Sequence, residues 1–189
     1  AVSIYQQGNY KEALDIFESL LIKPEHSPMP DDIFYAVDCL RRLNLLHKFD
    51  SLMEKTAEVR SDNTQIIARI AKAYNSEVDH YGFIINGNFE RGHHRGGGEY
   101  VNAIERDRVR AIQLYFQAMP LVEKSTEKLA KFAFFRDFAD AVFGTSAWKL
   151  QTLTDISVLP DYEKGYFGYR SGNYGAPVDE KGNPIYYKI

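Results

Sequence analysis

One cysteine, one tryptophan and no long apolar run define this 189-residue chain by what is missing. The single thiol, Cys39, excludes an internal disulfide and fits either a reducing compartment or a cysteine-poor exported protein. No stretch approaches the ~20 consecutive apolar residues that a bilayer span needs, so no transmembrane segment is expected. Charge excess is missing too. Twenty-three Lys and Arg against 26 Asp and Glu give a formal charge of −3 and a pI near 6.0, which makes no electrostatic case for nucleic acid. Catalytic signatures are equally scarce: there is no HExxH, no cysteine pair, no Walker lysine and no carboxylate pair that stands out as a general acid and base. The reading is therefore non-enzymatic, with no cofactor.

Aromatics are plentiful, with 13 Tyr and 12 Phe. They supply much buried area per residue, which suits a thin array with little core in any one cross-section. In YQQGNYKEALDIFESLLIKP, apolar Tyr10, Ala13, Leu14, Phe17, Leu20 and Leu21 recur at three- and four-residue spacing and so make one helical face. Asn9 with Glu12 reads as a capping box, Gly8 permits the turn before it, and Pro24 ends the helix. Gly8, Tyr10, Ala13 and Phe17 resemble the second-helix signature of the tetratricopeptide repeat.

Residues 31–44 and 47–60 read as a second helical hairpin, and residues 63–78, capped by Asp62 and Gln65, open a third. Its partner helix, ERDRVRAIQLYFQAMPLVEK, arrives only after residues 79–101; there Ala111, Tyr115 and Ala118 repeat the spacing of Ala13, Phe17 and Leu20. A fourth pair is expected at 126–143 and 146–157, closed by Leu159-Pro160-Asp161, with Trp148 as core. The fold class that follows is all-α: a right-handed superhelix of about four antiparallel helix pairs, roughly 34 residues each, over residues 1–160. Residues 79–101 form a long inserted loop, and 161–189 an irregular tail rich in aromatics and glycine. That tail could make a short hairpin around Val178 and Ile185 to Tyr187, but its aromatics point more to packing along the array or leading into a following domain. The opening AVSIYQQGNY reads as mid-helix followed by a turn and shows no signal peptide, so the chain is expected to be a fragment of a longer one.

The inserted loop gathers His80, Glu90, Arg91, His93, His94, Arg95 and Glu99. A metal reading needs three or four converging ligands, which adjacent histidines supply only from a contorted backbone. An anion reading rests on Gly96 to Gly98 before a helix, but Asn102 with Glu105 reads as a capping box that occupies those amides, and Glu99 and Glu105 would repel the ligand. The simplest reading is an insertion stapled to the helices by Tyr81, Phe83, Ile84, Ile85 and Phe89, with His80, Arg91, His93, His94 and Arg95 as the candidate contact residues for a partner or ligand. The run ERDRVR alternates charge at helical spacing and reads as a solvated face, Arg106 and Arg110 included. Cys39 lies in an apolar pattern and reads as packed.

Three stretches, HYGFIINGNFERGHHRGGGEYVNAIERDRVRAIQLYFQAMPLV, LTDISVLPDYEKGY and GAPVDEKGNPIYY, resemble in that order the N-terminal helical region of large bacterial proteins related to alpha-2-macroglobulin. The resemblance implies an exported, periplasmic or extracellular protein whose other domains inhibit proteases; a free-standing cytoplasmic repeat adaptor is the alternative. Family members often carry a Cys-Gly-Glu-Gln thioester motif, whereas Cys39 is followed by Leu40, Arg41 and Arg42, so no functional residue carries over. The expected partner is a protein or peptide, another domain of the same polypeptide included. The rival is a ligand- or metal-binding module centred on residues 80–99.

Overall fold

The computed structural model describes residues 1–93, 96–143 and 156–164. Among them are seven α-helices: α1 (Val2–Gln6), α2 (Tyr10–Ile22), α3 (Pro30–Arg42), α4 (Phe49–Val59), α5 (Thr64–Lys72), α6 (Ile104–Lys124) and α7 (Lys128–Phe143). A π-helical turn, Ala73–Glu77, continues α5, and a 3₁₀ turn, Leu46–Lys48, leads into α4. Helix α2 packs on α3 and α4, α3 on α5, α5 on α6, and α6 on α7, so contacts run between near neighbours in sequence. The apolar stripes meet as their spacing requires: Ala13, Phe17 and Leu21 of α2, Ile33, Ala36 and Leu40 of α3, Ile66 and Ile70 of α5, and Leu114 and Ala118 of α6 are all buried. Cys39 is fully buried among them, and burial pushes its thiol up to about 11.

The helix caps are not those the sequence suggested. Asn9 does precede α2, but its side chain caps nothing. Asn63, not Asp62, caps α5, its Oδ1 accepting the Ile66 N–H at 3.1 Å. Helix α3 starts on Pro30, where a missing N–H costs nothing, and Asp32 accepts the Met29 N–H at 2.8 Å.

The larger difference lies between α5 and α6. Residues 79–101, read as an inserted loop in an all-α chain, carry most of an antiparallel sheet. Its strands are β1 (Tyr81–Ile85), β2 (Asn88–Arg91), β3 (Glu99–Asn102) and β4 (Glu163–Lys164), in the order β2-β1-β3-β4. Its cause is local. Asn86 and Gly87 both have positive φ (50° and 82°) and join Ile85 to Asn88 across two residues. This is a type I′ hairpin turn, whose twist matches that of the strands and whose backbone favours Asn-Gly. At Gly82 the Phe89 ring folds over the backbone, where any Cβ would collide with it. The described residues end in β4 within the tail. The expected helix over 146–157 falls almost wholly outside the described residues, as do Trp148 and the hairpin expected from Val178 to Tyr187.

Arg60, at the end of α4, ties that helix to α2. It is 8% exposed, and its guanidinium donates to the carbonyls of Leu20, Leu21, Lys23 and Pro24, the unpaired end of α2. Arg60→Met removes these bonds and leaves buried carbonyls unmet. It is expected to cost about 2–4 kcal/mol, read as a lowered urea midpoint with an unchanged m-value.

Candidate functional site

Four elements converge on one guanidinium. Arg91 closes β2, Asp107 lies in the first turn of α6, Asp50 in the first turn of α4, and Asp79 and His80 precede β1. The Arg91 side chain is 1% exposed and that of Asp107 is 3% exposed. Arg91 Nη1 and Nη2 donate to the two Asp107 oxygens at 2.7 and 2.9 Å; Nε and Nη2 donate to the two Asp50 oxygens at 3.0 and 2.7 Å; and Nη1 also reaches the Asp79 carbonyl at 3.0 Å. All five N–H donors are therefore used. The rings of Phe49 and Phe89 lie 5.1 and 5.2 Å from the guanidinium carbon, adding cation–π attraction where water is excluded. Burial works against the charge, but the bonds and charges of Asp107 and Asp50 outweigh it and hold the Arg91 pKa above its ordinary value.

His80 Nδ1 lies 2.7 Å from Asp107 Oδ2, so two of the candidate residues, His80 and Arg91, meet at one carboxylate. His93 is placed elsewhere, its Nε2 3.1 Å from the Tyr81 hydroxyl on the aromatic face that Tyr81 shares with Tyr100. His94 and Arg95 lie outside the described residues. Among the described residues no group of three or more His, Cys, Asp or Glu is arranged to hold a metal ion, and no helix is long and apolar enough to cross a membrane.

Asp107 and Arg108 correct the reading of ERDRVR as a solvated face: they are 2% and 6% exposed. Asp107 stands one turn before Ala111, on the same stripe as Leu114 and Ala118, and so faces the core. A carboxylate on that stripe was the available signal for a buried partner. Asn102 and Glu105 form no capping box, because α6 begins one residue later. Asn102 instead accepts the Ile104 N–H at 3.3 Å, and Glu105 pairs with Arg108. Arg108 also reaches the carbonyls of Ala141 and Val142, at 3.3 Å each, near the end of α7. Arg106 donates to the Pro160 carbonyl at 2.8 Å, and Arg110 to both oxygens of Glu54 at 2.8 and 2.6 Å. Both arginines are thus engaged within the chain.

A second feature is a groove of about 570 Å³ bounded by the start of α3 (Pro30, Asp31), one face of α5 (Ala68, Arg69) and the facing side of α7 (Ala133, Phe134). Small side chains make room in it, and ion pairs edge it: Arg69 with Glu77 at 2.6 Å and Lys72 with Asp137 at 3.6 Å. Neither the groove nor the Arg91 cluster assembles a nucleophile and a base among the described residues. No protein-family model, curated protein or solved structure matches this chain.

The Arg91 cluster generates a ranking. Asp107→Ala leaves a buried cation short of its main partner and is expected to cost about 3–5 kcal/mol. Asp50→Ala should cost clearly less, because that carboxylate is 40% exposed. The double variant Arg91→Met/Asp107→Leu should recover most of the loss from Asp107→Ala. Urea unfolding of the variants checks all three values.

Proposed function

We propose that the chain is a non-catalytic docking module, a tetratricopeptide-like array whose concave side receives an extended segment of a partner protein or of a neighbouring domain. The observation that carries this reading is the groove lined in turn by α3, α5 and α7. Those are the first helices of successive pairs, the ones that face the concave side when helix pairs stack as a superhelix. The neighbour-to-neighbour packing of the helices supports the same stacking. Alanines at 68, 130 and 133 leave depth for incoming side chains, and charges of both signs at the edge provide orientation. On the strength of the sequence resemblance alone, the proposal sets this module in the N-terminal helical region of a large exported protein related to alpha-2-macroglobulin. There its partner is another domain of the same polypeptide. The intact mass of the native polypeptide tests that placement: a mass near that of 189 residues ends it.

Filling the groove tests the docking itself. Ala68 and Ala133 are only half-buried, so Ala68→Arg/Ala133→Arg should fold normally. Peptides enriched from a random displayed library on the unsubstituted protein are expected to bind this variant at least about tenfold more weakly. Equal binding to both proteins, or no enrichment, counts against the groove.

A further inference from the structure

Residues 156–164 are attached to the body in the manner of a bound peptide. Gln113 Nε2 donates to the Ile156 carbonyl at 2.8 Å, and Arg106 to the Pro160 carbonyl at 2.8 Å. The Tyr162 ring stacks on Phe89 at 4.3 Å, with the Arg106 guanidinium carbon 4.8 Å from its centre. Glu163 and Lys164 then add a two-residue strand, β4, to the edge of β3. Backbone groups held by side chains, one aromatic anchor in a pocket and a strand laid on a sheet edge are the elements of β-strand addition by an extended ligand.

Apart from Ile156, which packs against the core, the strap gives little to the core in return. No residue from 157 to 164 is among the buried core residues, and Val158 is 67% exposed. Behind it lies a cavity of about 470 Å³, where Leu159 and Tyr162 face Asp50, Phe89, Arg106 and Arg110. A segment with few buried contacts opens at lower free energy than the core it covers. Opening this one would uncover the cavity, the Phe89 ring and the β3 edge together.

We propose that the cleft between β2 and the N-terminal half of α6 is a peptide-receiving site, masked in cis by the chain's own residues 156–164. Its ligand is an extended polypeptide with an aromatic side chain two residues after the carbonyl that Arg106 holds, continuing as a strand along β3. This site is separate from the groove of α3, α5 and α7 and does not depend on it. The strap competes with any such ligand, so apparent affinity falls by the fraction of molecules in which the strap is closed.

The probe is a dye-labelled peptide of residues 156–164, ISVLPDYEK, titrated by fluorescence anisotropy into three proteins. Tyr162→Ala, which loosens the strap, is expected to bind the peptide at least about tenfold more tightly than the unsubstituted protein. Adding Arg106→Ala should abolish that binding. The proposal is overturned if folded Tyr162→Ala binds no better than the unsubstituted protein, or if Arg106→Ala leaves the binding unchanged. Should circular dichroism show Tyr162→Ala unfolded, isotope-labelled unsubstituted protein is titrated with unlabelled peptide. The chain's own Tyr162 ring signals are then expected to move to solvent-exposed positions while those of Phe89 stay in place. A Tyr162 signal unmoved at millimolar peptide overturns the proposal equally.

Discussion

The guanidinium of Arg91 sets the constraint that the rest of the structure answers. A buried cation with five donors has to find five acceptors, and here they come from α4, α6 and the segment before β1. Meeting them fixes the height of β2 against α4, the rotation of α6 about its axis, and the point where the chain enters β1. A buried ion pair adds little net stability over an apolar pair of the same volume. Its larger effect is to make misaligned alternatives costly, because any shift of the sheet strands a charge out of water. The sheet is thereby tied to both α4 and α6.

The same device recurs on a smaller scale. Arg60 closes the end of α2, Arg108 reaches the end of α7, and Arg110 crosses from α6 to Glu54 on α4. Each arginine ties one helix to another. Edge-on and stacked rings, such as Phe17 on Tyr35 and Tyr115 against Phe134, fill the thin layers between them. Large rings and bridging arginines thus act side by side at these helix contacts.

The helices were legible because their apolar residues keep a 3.6-residue period, and boundaries came out within a few residues for α2, α3, α4 and α6. The sheet was not. Tyr81 to Arg91 reads as an aromatic insertion when measured against helical spacing, yet Asn86-Gly87 between apolar residues is a hairpin signal in its own right. Arg91 and His80 stand out in the sequence as candidate contact residues without their partner, because the alternating charges around Asp107 read as a solvated face. Sequence distance hid the cluster, whose members stand at positions 50, 79, 80, 91 and 107. The aromatics of the tail point to its packing on the body, but not to the strap's anchors, because two residues of strand and one stacked tyrosine leave no periodic trace.

The groove lies wholly among the helices, whereas the proposed masked cleft is lined from α4, β2 and α6 and so depends on the sheet and helices acting as one body. Native-state hydrogen exchange in low urea tests that dependence most directly. The amides of Gly82, Ile84 and Val101 in the sheet are expected to open with the same free energy and the same urea dependence as those of Ile112, Leu114 and Tyr115 in α6. Sheet amides that exchange several kcal/mol more easily than the α6 amides, with little urea dependence, would contradict that expectation. They would show an appended hairpin, with Arg91 as its attachment only.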